Sequence, residues 1–134
     1  QRQGRIVQWE AWGDAALAPA LMTPLLERVV KPVRLKQTTD EDAVDKAVRD
    51  ALPPAYEALD KALAERGPWL IGEVFSHADI AIGAHMASAE LANVLPDEAR
   101  FKHLTAWLSR VQERPAYQTT MEQTRATIKR LENG

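Results

Sequence analysis

Apolar residues recur every three to four positions along nearly the whole chain and nowhere alternate with the period of two that a half-buried strand needs, so the sequence reads as helices throughout. A first helix over Arg5 to Val30 carries Ile6, Trp9, Trp12 or Gly13, Leu17, Leu21 and Leu25 on one face. Pro19 and Pro24 lie inside it and predict a kink or a break, and Lys31-Pro32 is expected to end it, because the residue before proline resists the α region. A second helix begins near Thr38 or Thr39, each followed three residues later by a carboxylate in the manner of a capping pair. Its apolar face runs through Val44, Ala47 or Val48, Ala51, Tyr56, Leu59 and Leu63. Pro53-Pro54 is expected to bend or split it, and Arg66-Gly67-Pro68 closes it.

The sharpest local signal is Phe75-Ser76-His77-Ala78-Asp79-Ile80. Ser76 can cap the N–H of Asp79, the Asp79 carboxylate can reach back to the N–H of Ser76, and Phe75 and Ile80 stand where a hydrophobic staple would form. The third helix that starts here carries Ile80, Gly83 or Ala84, Ala87, Leu91 and Val94. Its many small residues allow close approach, which predicts a central buried helix ended by Pro96. A fourth helix over Arg100 to Glu113 turns Leu104, Trp107 or Leu108, and Val111 inward. A fifth over Ala116 to Glu132 carries Tyr117, Met121, Thr124, Ile128 and Leu131. The expected fold is thus all-α, a five-helix bundle, or six-helix if a kink splits one, in a single domain over residues 1–134.

Composition narrows the function classes. Hydrophobic residues make up 46% of the 134 residues, enough for a core, and charged residues 27% in mixed signs. The net charge of -2 offers no basic excess for nucleic acid. No apolar run approaches the about 18 residues of a membrane span, and no signal-like start is present. Cysteine is absent, which removes disulfides, thiolate metal sites and a cysteine nucleophile from this chain and fits a reducing compartment. His77, His85 and His103 are too scattered to predict a metal site. Ser76, His77 and Asp79 superficially suggest a catalytic triad, but all three leave the first turn of one helix, where capping already uses two of them. The mixed cluster Glu41, Asp42, Asp45, Lys46, Arg49 and Asp50 reads as a solvated helix face.

A long kinked helix, a second helix, Leu70-Ile71-Gly72, Ser76-His77-Ala78-Asp79-Ile80, a helix with Trp107, and Arg114-Pro115-Ala116-Tyr117 follow one another in an order that resembles the C-terminal domain of cytosolic glutathione transferases over essentially the whole chain. Gln8-Trp9-Glu10-Ala11-Trp12 running on to Thr23-Pro24-Leu25-Leu26 looks most like the bacterial, theta-like and elongation-factor-1B-gamma-like members. The resemblance implies a cytoplasmic protein in which a thioredoxin-like domain, whose motifs this chain lacks, activates glutathione as co-substrate. Gln1 stands a few residues before the first helix, and this start leads us to expect a fragment of a larger protein. The helical half would then supply no catalytic residue and no cofactor site, but a wall for a hydrophobic small-molecule electrophile and much of a homodimer interface. The resemblance implies that Trp12, Ala15, Ala18, Met22 and Leu26 line that wall, with Asp14 near where some members reach across the dimer toward glutathione. In the family reading Ser76 and Asp79 form a folding signal. Catalytically inactive relatives share the domain, so the alternative is a protein-interaction module of the translation-factor or synthetase-assembly type. A face deprived of its thioredoxin-like partner is expected to favour self-association.

Overall fold

The computed structural model describes residues 2–134, and over these residues the chain forms five helices. Helix α1 (residues 2–35) runs without interruption through Arg2–Trp12, Gly13–Leu17, Ala18–Leu25 and Leu26–Leu35, the second and fourth stretches being π-helical. Helix α2 (residues 41–66) likewise joins Glu41–Lys46, the π turn Ala47–Ala51 and Leu52–Arg66. Helices α3 (His77–Leu91), α4 (Lys102–Gln112) and α5 (Pro115–Asn133) complete the bundle.

The prolines bend the pattern without breaking the helices. A prolyl ring clashes with the carbonyl four residues back, and a π turn widens the helix and shifts that carbonyl aside. Pro19 and Pro53-Pro54 each fall in the first turn of an α segment that directly follows a π turn, while Pro32 lies inside one. Helix α1 therefore passes the expected stop at Lys31-Pro32 and ends only at Lys36, whose left-handed φ of 53° turns the chain away. The start of α2 is also corrected. Asp40 is the N-cap, accepting from Ala43 N–H at 3.2 Å, while the Thr39 hydroxyl donates to the Glu27 carbonyl at 2.6 Å.

The capping box of α3 forms as its residues predict, and its carboxylate does more than cap. Asp79 Oδ2 accepts from Ser76 N–H at 2.9 Å and from the Ser76 hydroxyl at 3.3 Å, while Ser76 Oγ accepts from Ala78 N–H at 3.2 Å. Asp79 Oδ1 accepts from Leu70 N–H at 2.9 Å and from the Trp107 indole N–H at 2.8 Å. One buried carboxylate thus joins the α2–α3 loop, the start of α3 and the middle of α4. Its negative charge also sits at the positive end of the α3 dipole. The loop reaches it through a tight turn in which Trp69 and Gly72 exchange backbone hydrogen bonds at 2.9 and 3.1 Å. Gly72 takes a φ of +129° there, a region that side chains disfavour.

Burying Asp79 sets the rotation of α3. Ala78, Ile82, Gly83, Met86 and Ala89 face inward, and Ile80, expected inside, is 54% exposed. The Phe75 ring packs edge-on against Trp69 at 5.0 Å, with the Arg114 guanidinium 3.5 Å from its centre. Helix α3 is nonetheless the central helix, with α1 and α4 packed against it. Helix α4 buries Leu104, Trp107, Leu108 and Val111 as its spacing predicts. Its first turn is capped from α2, where Asp60 Oδ1 accepts from His103 and Leu104 N–H at 2.9 Å each. Helix α5 departs furthest from expectation. Of its predicted face only Met121 is buried.

Ser76→Ala is expected to cost ~1 kcal/mol, the usual worth of an N-cap. Asp79→Ala strands the N–H groups of Leu70, Ser76 and Trp107 in the interior and is expected to cost on the order of 3 kcal/mol, a fall in Tm of roughly 10 °C. Thermal unfolding followed by circular dichroism separates the two, and equal losses would show that the carboxylate is only a cap.

Candidate functional site

Helix α1 presents two faces of opposite character. Gly13, Leu17, Ala20, Leu21 and Pro24 are buried against the bundle. Trp9 and Trp12 are half-buried beside them, their rings edge-to-face at 5.4 Å, and both pack on the core. The opposite face carries the residues singled out from the sequence: Ala15 is exposed, Ala18 half-buried, Met22 64% exposed and Leu26 40% exposed. Three or four positions separate each of these residues from the next, so the helix brings them onto one side as an apolar stripe, with Trp12 at its margin. Ala15, Met22 and Leu26 lie outside the core.

The stripe is held in place by a close crossing of α1 and α3. A Cβ at Gly13 would stand 3.0 Å from Ile82 Cδ1 and 3.1 Å from His85 Cδ2, so only glycine permits this approach without displacement. His85 Nε2 comes within 3.6 Å of Asp14 Oδ1. That carboxylate is 82% exposed, so water screens the pair heavily. Asp14 faces α3 of its own chain here.

A second apolar surface lies between α3 and α5, a groove of about 160 Å³ lined mainly by Phe75, Ile80, Ala84, Ala87, Tyr117 and Met121. Trp12, Ala15, Ala18, Met22 and Leu26 do not line it.

Sequence reasoning missed the polar residues that fasten these surfaces together. Glu27 is buried near the end of α1, accepting from Lys31 Nζ at 2.7 Å and from Asp40 N–H at 2.8 Å. The Lys31 ammonium first, and then the Asp40 N–H, hold its carboxyl below the ordinary value of 4.5. Only the four-residue spacing of Glu27 and Lys31 announced this. Arg28 pairs with Glu41 at 2.7 Å and donates to the carbonyls of Ala92 and Asn93 at 2.9 and 3.0 Å, closing the end of α3. No local pattern signals a contact across more than sixty positions.

Glu90 on α3 accepts from Tyr117 at 2.8 Å, Gln112 at 2.9 Å and Arg125 at 2.8 Å. Partial burial pushes its carboxyl up, but these donors outweigh that and hold it below its ordinary value. Burial, then the Glu90 carboxylate, push the Tyr117 hydroxyl well up, and burial alone raises Tyr56, which donates to the Val94 carbonyl at 2.7 Å.

The arrangement offers binding surfaces, and its most triad-like residues are occupied otherwise. Ser76 and Asp79 are consumed by the capping network, and His77 is exposed beside them. Among the described residues no three potential metal ligands of the His, Cys, Asp or Glu type converge, and no helix is long and apolar enough to cross a membrane.

A five-helix bundle built on a buried capping box, with a long first helix exposing an apolar stripe, defines a helical domain of the glutathione transferase type. The sequence profile of the glutathione S-transferase C-terminal domain matches residues 13–115, and the chain belongs to that family. No curated protein matches the chain by sequence. Among solved structures, it is similar to a glutathione S-transferase from Rhodospirillum rubrum F11, with 20% identity over 85% of this chain and 50% of that one and a TM-score of 0.72. A glutathione S-transferase-I bound with lactoylglutathione gives 24% identity over 89% and 56%, with a TM-score of 0.75. Glutathione transferase F7 from Populus trichocarpa gives 20% over 89% and 55%, with a TM-score of 0.74. At these identities the likeness is one of fold, and the chain spans about half the length of each structure.

The two depressed carboxyls set the acid limb of stability. Each contributes stability that is fully present above the ordinary value of 4.5 and lost as pH falls through its lower folded value. Glu27→Gln is therefore expected to be less stable than the parent at pH 7 and to decline less steeply below pH 4.5. Urea unfolding across this range checks it, and parallel curves would contradict the assignment.

Proposed function

We propose that this chain is the helical half of a glutathione transferase, completed by a thioredoxin-like domain that binds glutathione as co-substrate and lowers the pKa of its thiol. The division of labour is physical. The thioredoxin-like half generates and orients a thiolate, and the helical half offers an apolar, water-poor wall that holds the second substrate against it. The reaction is attack of the glutathione thiolate on a hydrophobic electrophile.

The observation that carries this reading is the exposed stripe of α1. Ala15, Met22 and Leu26 are exposed along one side of α1, with Ala18 half-buried among them and Trp12, which packs partly on the core, at the margin. Small side chains at Ala15 and Ala18 leave room for a ligand, and Met22 supplies an adaptable, polarisable contact. The exposed Val7 and Leu35 at the two ends of the same helix favour a homodimer in which α1 also meets its partner copy. Exposed Val74 and Ile80 at the start of α3 provide an apolar seat for the thioredoxin-like domain. The absence of cysteine fits the reducing cytoplasm.

In the protein joined to its thioredoxin-like domain, Met22→Glu sets a charge in the wall. We expect KM for a chloro-dinitrobenzene type electrophile to rise about tenfold, a loss of about 1.4 kcal/mol, with KM for glutathione unchanged. Steady-state kinetics with each substrate varied in turn measures this. Unchanged KM for the electrophile would remove Met22 from the wall, and absence of any thiol transfer in the joined protein would favour an interaction module. The 134-residue chain alone is expected to give no turnover.

A further inference from the structure

Helix α5 is the longest regular α-helical run in the chain at 19 residues, yet Met121 is its one buried residue, whereas the 15-residue α3 buries six. The family match ends at residue 115, where α5 begins. Apolar contacts hold α5 through Met121, through Tyr117 on the core and through Ile128 beside Val29, Val33 and Leu91, and a polar clasp fastens it as well. Tyr117 and Arg125 both donate to the Glu90 carboxylate at 2.8 Å, Gln112 of α4 completes the same acceptor, and Lys36 Nζ donates to the Leu131 carbonyl at 3.0 Å. Arg125 is 56% exposed, so water competes for its half of the clasp. When such a helix lifts away its polar groups regain water, which offsets part of the cost of exposing the few apolar side chains it covers.

We infer that α5 is a strap that undocks from the bundle as a unit while α1 to α4 stay folded, with Glu90 as its clasp. Undocking turns Met121 and Tyr117 into solvent and uncovers the apolar surface of α3 and α4 around Gly83, Ala87 and Val111, which together line one groove with α5. The hinge is the short Glu113–Arg114 connection, where Pro115 keeps α4 and α5 from merging into one helix.

The three methionines of the chain form an internal gauge for this motion. Met22 is 64% exposed on α1, Met86 is fully buried on α3, and Met121 is 6% exposed under α5. In the static fold Met86 and Met121 are both shielded from peroxide. Independent undocking exposes Met121 alone. With dilute hydrogen peroxide at neutral pH and mass-spectrometric readout of each sulfoxide, Met22 is expected to oxidise first. Met121 should follow at least about tenfold faster than Met86, because local opening outruns global unfolding. Glu90→Gln removes the charge from the clasp and is expected to speed Met121 about fivefold further, with Met86 unchanged. Equal slow oxidation of Met121 and Met86 in the parent chain would overturn the proposal. So would a Glu90→Gln protein in which Met86 accelerates together with Met121, since α5 would then open only with the core.

Discussion

The Asp79 carboxylate is the constraint on which the rest of the structure depends. Four donors from three parts of the chain converge on its two oxygens: the backbone and hydroxyl of Ser76, the backbone of Leu70 and the indole of Trp107. A buried carboxylate is costly unless fully hydrogen-bonded, and here its bonds fix the rotation of α3, the path of the loop before it and the position of α4. With α3 so placed, Ile82 and His85 face α1, and Gly13 allows α1 to cross within contact distance. The outward direction of the α1 stripe follows from that crossing.

The second constraint is proline. Helix α1 and helix α2 each carry residues that would break a uniform α-helix, and each relaxes into π turns instead. This keeps α1 continuous over residues 2–35, long enough to show one apolar face to the bundle and another to solvent. Glu27 and Arg28 then secure its far end. One ties the loop leading into α2, and the other joins the start of α2 to the end of α3.

Signals that lie within a few residues of each other were legible in the sequence. Ser76 and Asp79 are three positions apart, and their cap forms. Leu104, Trp107, Leu108 and Val111 share one turn-by-turn stripe, and all are buried. Signals that depend on distant partners were not. Nothing local says that Asp60 caps α4 rather than solvating α2, or that Arg28 closes α3. The phase error at Ile80 has the same origin: apolar character argued for burial, but the hydrogen bonds of Asp79 required the neighbouring position inside. Thr39 lost the cap to Asp40 because its hydroxyl serves the Glu27 carbonyl. The stripe of Ala15, Ala18, Met22 and Leu26 was legible as a spacing, and the structure adds its exposure.

The most direct test of this account is a double-mutant cycle between Asp79→Ala and Trp107→Phe, with unfolding free energies for both single variants and the double. A shared, buried hydrogen bond between them predicts a coupling of about 1–3 kcal/mol. Losses that add to within about 0.5 kcal/mol would mean that the two residues act independently and that the bundle is not organised around this carboxylate.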